Sequence, residues 1–266
     1  MTEEPVLKQS VEGRVGTLIL NRPERRNALS PELLIELHVA LTRWADSGEV
    51  RCVVITGSGD DAFSSGYDLT AIPTEITPET ADILKNHNPL ELALSTVKNF
   101  PYPTIAMWNG YCYGAGLNLS VCCDMRIASD HAKAGMPPAR LGIVYHPEGL
   151  RQFVEVVGFA VAKELFLTAR TFTAAECLQK GLVNRLVPPE LLVETTMRLA
   201  RETAANAPLS LRHTKRILHM LAGSVRLTPE QEKEAEALVA EGFNSDDLKE
   251  GQAAFLEKRP PKFTGK

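Results

Sequence analysis

Two short stretches carry residue types able to stabilise a developing negative charge. In the first, the apolar, β-branched run Arg51-Cys-Val-Val-Ile-Thr56 gives way to Gly57-Ser-Gly-Asp-Asp-Ala-Phe-Ser-Ser-Gly-Tyr-Asp-Leu69. In the second, Pro103-Thr-Ile-Ala-Met-Trp108 leads through Asn109-Gly-Tyr-Cys-Tyr to Gly114-Ala-Gly116, and an apolar run from Leu117 to Cys123 follows. The runs before the turns have the pattern of buried strands, and 117–123 reads as a buried helix. Small residues between strand and helix let the backbone turn sharply and lie bare against a ligand. The first N–H groups of a helix have no partner inside it and sit at the positive end of its dipole. Such an end suits a phosphate, a carboxylate or the oxygen of a polarised carbonyl. Close helix–strand packing is the structural alternative for the second turn alone. Two turns that each aim an N–H at one point make an oxyanion hole.

The elements that must position these turns are legible around them. Val15–Leu20 reads as a strand after a turn at Glu12-Gly13. Ser30-Pro31-Glu32 is a helix start, and Leu33, Leu34, Leu37, Ala40, Leu41 and Trp44 follow at helical spacing. With the strand from Arg51 this makes a β-α-β unit and predicts a parallel pair. The chain from Thr70 to Asn88 is polar and irregular, punctuated by proline. Pro89 to Val97 reads as a helix, Met125–Ser129 as a third core strand, Gly135–Gly149 as loop, and Leu150–Val156 as the start of a helix. Thr173 to Gly181 is a short helix with a capping box and a glycine stop, and Leu182–Val187 is a strand. The remainder is helical: Leu191–Ala205, Leu209–Leu221 and Pro229–Glu241.

The composition bounds the function. With 266 residues, 44% hydrophobic and 23% charged, the chain can bury one substantial α/β core plus an appended element. A formal net charge of −4 gives no reason to expect nucleic acid or an anionic membrane as partner. No apolar run reaches membrane-spanning length, and the acidic opening is unlike a secretory signal. The five cysteines, mostly in apolar settings, read as reduced core thiols of a cytoplasmic protein. No His/Cys/carboxylate grouping has metal-site spacing, so no metal is expected. No Gly-x-Ser-x-Gly elbow is present.

The pairing of Ala62-Phe-Ser-Ser-Gly-Tyr-Asp-Leu69 with Asn109-Gly-Tyr-Cys-Tyr-Gly-Ala-Gly116 resembles the crotonase family, the enoyl-CoA hydratase/isomerase superfamily. Leu20-Asn-Arg-Pro-Glu-Arg-Arg-Asn-Ala-Leu29, Gly181-Leu-Val-Asn-Arg-Leu-Val187 and Gly251-Gln-Ala-Ala-Phe-Leu-Glu-Lys-Arg259 extend the likeness nearly end to end. The resemblance implies an α/β fold, a crotonase-like ββα spiral core over residues 1–189, and a C-terminal helical trimerisation region over 190–266. It implies a homotrimer or dimer of trimers, and an acyl-CoA substrate in place of any permanently bound cofactor. The oxyanion donors become the N–H groups of Tyr67 and Ala115. Arg25, Arg26, Ser65, Tyr67, Gly114, Ala115, Phe255 and Lys262 become the residues around coenzyme A, and the 70–88 segment a cover for the acyl pocket.

The chain also departs from that family. The hydratases use two glutamates, and the corresponding positions here are Asn118 and Pro138, neither of which exchanges a proton near neutral pH. His146 falls where isomerase and dehalogenase branches carry a functional aspartate, and it retains acid/base capability. Glu148 is either a proton carrier or a complement to the following helix N-terminus. Leu141-Gly-x-x-Tyr145 resembles the methylmalonyl-CoA decarboxylase branch, where a tyrosine of this loop helps hold the substrate carboxylate. That branch has a histidine where Tyr67 stands. Asp68 reads as structural. The expectation is an acyl-CoA enzyme working through an enolate, of isomerase or decarboxylase type, with Tyr67, Ala115, Tyr145, His146 and Glu148 as catalytic candidates. The alternatives are a non-catalytic acyl-CoA binder and a hydratase or hydrolase using substitute residues.

Overall fold

The computed structural model of the chain describes residues 4–68, 88–222 and 228–264. The irregular segment that the sequence places over the acyl pocket lies, up to residue 87, outside the described residues.

Strands β1 (Leu7–Glu12) and β2 (Val15–Leu20) form an antiparallel hairpin through Gly13. Helix α1 (Pro31–Ser47) then returns the chain so that β3 (Cys52–Gly57) lies parallel to β2, as the β-α-β reading requires. The Ser30 hydroxyl caps α1 by accepting the Leu33 N–H, and the helix buries Leu33, Leu34, Leu37, Ala40, Leu41 and Trp44. Each of the four leucines contributes roughly 1.5–3 kcal/mol of transfer free energy. After α2 (Pro89–Asn99) come β5 (Thr104–Trp108), β7 (Met125–Ser129) and β10 (Arg185–Val187), giving a six-stranded sheet in the order β1-β2-β3-β5-β7-β10. Every pairing in it except β1–β2 is parallel.

A second, four-stranded sheet stands beside it: β4 (Ala62–Ser64), β6 (Tyr111–Tyr113), β8 (Lys133–Gly135) and β9 (Thr171–Thr173). Its strands are three residues long, too short to show a period in the sequence, and the sequence reading contains none of them. Helix α3 (Gly114–Cys122) follows β6, and α4 (Pro147–Thr168) follows the loop that the sequence marks as functional. Helix α4 begins at Pro147, three residues ahead of expectation, because the proline occupies the first helical position and His146 caps it. The strand expected over 182–187 is only Arg185–Val187; Leu182 and Val183 are buried in the preceding turn, where both N–H groups donate to the Cys177 carbonyl. That turn follows α5 (Ala174–Gln179), whose capping box of Thr173 and Glu176 is formed as read.

The C-terminal part is helical: α6 (Pro189–Ala204), α7 (Pro208–Ala222), α8 (Pro229–Phe243) and α9 (Asp246–Leu256). Helix α6 lays Leu192, Ala200 and Ala204 against Val54, Ile105, Met107 and Ile127 of the main sheet. Helix α7 is tied to the core by Lys215, which donates to the Tyr102 carbonyl (3.0 Å) and the Asp124 carboxylate (2.7 Å). Helix α9 packs on the 138–142 turn so closely that a Cβ on Gly251 would stand 2.5 Å from the Leu141 carbonyl oxygen.

Candidate active site

The two glycine turns meet. Gly66 has φ +109°, a conformation L side chains rarely adopt, and it redirects the chain at the end of β4. A Cβ on it would lie 3.1 Å from the Tyr113 carbonyl oxygen and 3.5 Å from the Ala115 nitrogen. Gly116 packs α3 against β4: a Cβ there would lie 2.5 Å from that of Ser64. The Ser64 hydroxyl holds the first turn by accepting the Gly66 N–H at 3.2 Å.

Both expected donors are available. The Leu29 N–H donates to the Gly66 carbonyl (2.8 Å), and the Leu29 carbonyl accepts the Asp68 N–H (3.0 Å), in a parallel bridge to Tyr67. In that geometry Leu29 uses the residues flanking Tyr67, so the N–H of Tyr67 itself points away. Ala115 is the second residue of α3, whose N-cap, Tyr113, supplies no side-chain acceptor. Among the described residues neither the Tyr67 nor the Ala115 N–H has an acceptor. Two unsatisfied donors on abutting turns, one at a helix N-terminus, are what an oxyanion requires.

Side-chain amides brace this arrangement. Asn109 donates to the carbonyls of Gly57, Gly59 and Ala62, and Asn27 to those of Ser58 and Ala62. Asp68, expected to be structural, forms an ion pair with the Arg22 guanidinium at 2.9 Å. The Arg25-Arg26 loop lies on the rim of the first turn, where Ser65 donates from its N–H to the Arg26 carbonyl and from its hydroxyl to that of Arg25. Both arginine side chains are exposed and, among the described residues, form no ion pair. They are therefore available to phosphates.

The second group of candidates forms a hydrogen-bonded chain. Asn118 lies one turn beyond Ala115 on α3 and is buried. Its Oδ1 accepts the Tyr145 hydroxyl at 2.6 Å, and its Nδ2 donates to Gln152 Oε1 at 2.6 Å. Gln152 Nε2 donates to Glu148 at 3.3 Å, and Arg151 clasps both oxygens of that carboxylate. Burial raises the Tyr145 hydroxyl pKa well above its ordinary value, so the group keeps its proton. Its ring fits because residue 149 is glycine; a Cβ there would lie 2.4 Å from the ring. His146 is exposed and caps α4, its Nδ1 accepting the Glu148 N–H at 3.4 Å, with Glu91 4.0 Å away. Glu148 lies in the first turn of α4, not ahead of it. Pro138 is buried at the start of a 3-10 turn.

The sequence reading thus has Ser65, Tyr67, Gly114, Ala115, Arg25 and Arg26 together on one side, and Tyr145 with Glu148 on the other. Phe255 is exposed on α9 and Lys262 lies in the tail beyond it, its N–H donating to Glu250. Among the described residues no recorded contact joins these two to the N–H pair. Gln152 was missed. Its one sequence signal is its i,i+4 spacing from Glu148. The cysteines offer no nucleophile: all five are buried and unpaired, and burial pushes the thiols of Cys52, Cys123 and Cys177 up to about 12.

A spiral of two abutting sheets with a paired N–H site between their turns defines a class of acyl-thioester enzymes, and comparison with known proteins agrees. The enoyl-CoA hydratase/isomerase family model matches residues 10–266, and the chain belongs to that family, the crotonase superfamily of acyl-CoA enzymes. A provisionally named enoyl-CoA hydratase of Thermus thermophilus is 40% identical, covering 96% of this chain and 99% of its own. The methylmalonyl-CoA decarboxylase of Escherichia coli is 30% identical over 95% of each chain. A structure of methylmalonyl-CoA decarboxylase in complex with 2-nitronate-propionyl-CoA superimposes with a TM-score of 0.92 at 28% identity, covering 99% of this chain and 100% of that one.

Proposed function

We propose that the protein decarboxylates a 2-carboxyacyl-CoA thioester through an enolate whose oxygen is held by the Tyr67 and Ala115 N–H groups. The observation that carries this reading is the pair of acceptor-less N–H groups on turns that touch, beside a wall that offers an amide where a hydratase has a carboxylate. Loss of CO2 needs an electron sink more than a strong base, and the hole is such a sink. Hydration by two carboxylates is not served by Asn118 and Pro138. The likeness to methylmalonyl-CoA decarboxylase supports the same choice.

Double-bond migration uses the same sink but adds a proton shuttle between two carbons. Its candidates, His146 and Glu148, are already engaged as a helix cap and as a carboxylate clasped by Arg151. This reading stands second. Coenzyme A enters as part of the substrate, with Arg25, Arg26 and Ser65 at its phosphate end. In this reading residues 1–189 supply the site and the helices of 190–266 the surface on which copies assemble. Among the described residues no helix is long and apolar enough to cross a membrane, which suits the proposed cytoplasmic setting.

The test is CO2 release from methylmalonyl-CoA and malonyl-CoA, run beside solvent-deuterium incorporation into propionyl-CoA. The expected result is CO2 release together with exchange at Cα. Exchange and double-bond migration in an enoyl-CoA without CO2 release would favour the isomerase. Binding with no exchange, decarboxylation or hydrolysis would make the protein an acyl-CoA binder.

A further inference from the structure

Arg126 is a buried charge that the chemistry above does not use. It stands on β7 at 4% exposure. Its guanidinium meets only backbone: Nε donates to the Leu182 carbonyl (2.8 Å), and Nη1 to the carbonyls of Ser120 (3.1 Å) and Cys123 (2.8 Å). The last two lie at the C-terminal end of α3, the helix whose second residue is Ala115. Lys98, Glu148, Asp124 and Lys215 also act at that end, on Cys122 and Cys123. Each of these has an opposite partner: Lys98 pairs with Glu155, Glu148 with Arg151, and Asp124 with Lys215. Among the described residues Arg126 has carbonyls and no carboxylate. Burial lowers its pKa, yet a guanidinium stays charged near neutral pH. A buried unpaired charge is costly, and a neutral donor or water can cap a helix end without that cost.

We propose that Arg126 is the positive charge behind the oxyanion hole: through α3 it favours an enolate oxygen at the Ala115 N–H over the neutral carbonyl. The inference rests on the enolate chemistry proposed above and deepens it, naming a residue that acts on the hole without touching substrate. Residues 115–122 of α3 are all buried, so the field crosses protein and not water. Ser120 lies five residues beyond Ala115, about 7.5 Å of helix rise, and the hydrogen bond beyond it puts the guanidinium on the order of 12 Å from the Ala115 N–H. At that range and the effective dielectric of a protein interior, a unit charge forming on the oxygen is favoured roughly tenfold. The guanidinium also cancels the partial negative charge at the C-terminus of α3, which leaves the positive end at Ala115 unopposed. Proton exchange at Cα of propionyl-CoA creates the new charge: the proton leaves to solvent and the electron pair passes to the thioester oxygen. Decarboxylation only relocates a charge already present, from the carboxylate to the same oxygen, while CO2 leaves neutral. Exchange therefore depends on Arg126 more steeply than CO2 release does.

Nη2 of Arg126 has no recorded acceptor, so replacing the residue by citrulline, which is neutral but keeps Nε–H and one NH2, retains all three hydrogen bonds and loses the charge. Arg126→Lys does the reverse. Each is compared with wild type by deuterium exchange at Cα of propionyl-CoA, by CO2 release from methylmalonyl-CoA, and by the infrared band of the bound, isotope-labelled thioester carbonyl. In the citrulline protein exchange is expected to fall roughly tenfold, CO2 release to fall less, and the band to move up toward its position in free propionyl-CoA. Arg126→Lys should keep the wild-type band and the wild-type ratio of the two rates, even where its stability falls. Asp124→Asn leaves the Lys215 charge unmatched and should move the band down, measured at about pH 8 where an ordinary histidine is neutral. An unchanged band in the citrulline protein overturns the proposal, as does an equal fall in both rates, the mark of a displaced helix. If that protein does not fold, Asp124→Asn decides, and a band that stays or moves up overturns the proposal. A wild-type band no different from that of free propionyl-CoA would remove the hole and the role of Arg126 with it. If the wild-type band is shifted but no CO2 is released, the decarboxylase reading fails, while band and exchange rate still decide the role of Arg126.

Discussion

Gly66 and Ala115 belong to different turns, 49 positions apart in sequence, yet a methyl group on Gly66 would stand 3.5 Å from the Ala115 nitrogen. Their close approach brings the two turns together. Gly66→Val is expected to leave a folded protein with turnover reduced by about 10²–10³, the cost of misplacing one oxyanion donor. Ala115→Pro, which deletes the N–H in a helix first turn where proline is tolerated, should do the same while acyl-CoA binding persists. Turnover and binding measured on one preparation check both; undiminished turnover in either folded variant would place the hole elsewhere.

Crotonyl-CoA should be hydrated poorly, at least about 10²-fold below a hydratase assayed alongside, because Asn118 and Pro138 carry no proton to move. The ultraviolet absorbance of the conjugated thioester follows this directly. Rapid hydration would mean that another residue substitutes.

His146 is a helix cap first. His146→Ala should lower stability by about 0.5–2 kcal/mol, read as a fall in the denaturation midpoint, with CO2 release largely retained. A fall in turnover of about 10²–10⁴ at unchanged stability would instead assign the histidine a proton-transfer role and favour double-bond migration.

The anchor of α7 should be acid-labile. Burial alone would raise the Asp124 pKa, but His219 and Lys215 outweigh it and hold the carboxyl below its ordinary value. A depressed folded-state pKa contributes stability that is complete above the unfolded value, near 3.9, and is lost as pH falls through the folded one. Thermal melts between about pH 6 and pH 2.5 should therefore show a steeper acid loss for wild type than for Asp124→Asn. Parallel profiles would remove Asp124 from the account.

Helix α7 exposes Leu209, Ile217, Leu218, Met220 and Leu221, an apolar set that a monomer would leave in water. Light scattering is expected to give three times the 29.1 kDa of one chain, or six. Leu218→Glu should lower that mass. A wild-type monomer at micromolar concentration would refute trimer assembly through this region.

Much of this molecule is determined by local sequence. The strands Val15–Leu20, Cys52–Gly57 and Thr104–Trp108 and the helix Pro31–Ser47 form where their apolar period and caps demand. The parallel pairing follows from the β-α-β connection. The small residues of the second turn were readable for the same reason: a sharp turn before the buried helix Gly114–Cys122 needs small residues in a row. The three-residue strands of the second sheet were not, since three residues complete no pattern and pair only once distant segments are side by side. Nor could sequence order reveal that Tyr145, Asn118, Gln152 and Glu148 form one chain. Its members come from a loop and two helices, and its direction is set by a carboxylate whose charge is held by Arg151. A hydrogen bond depends on distance and on which atom carries the proton, and only the folded chain decides either.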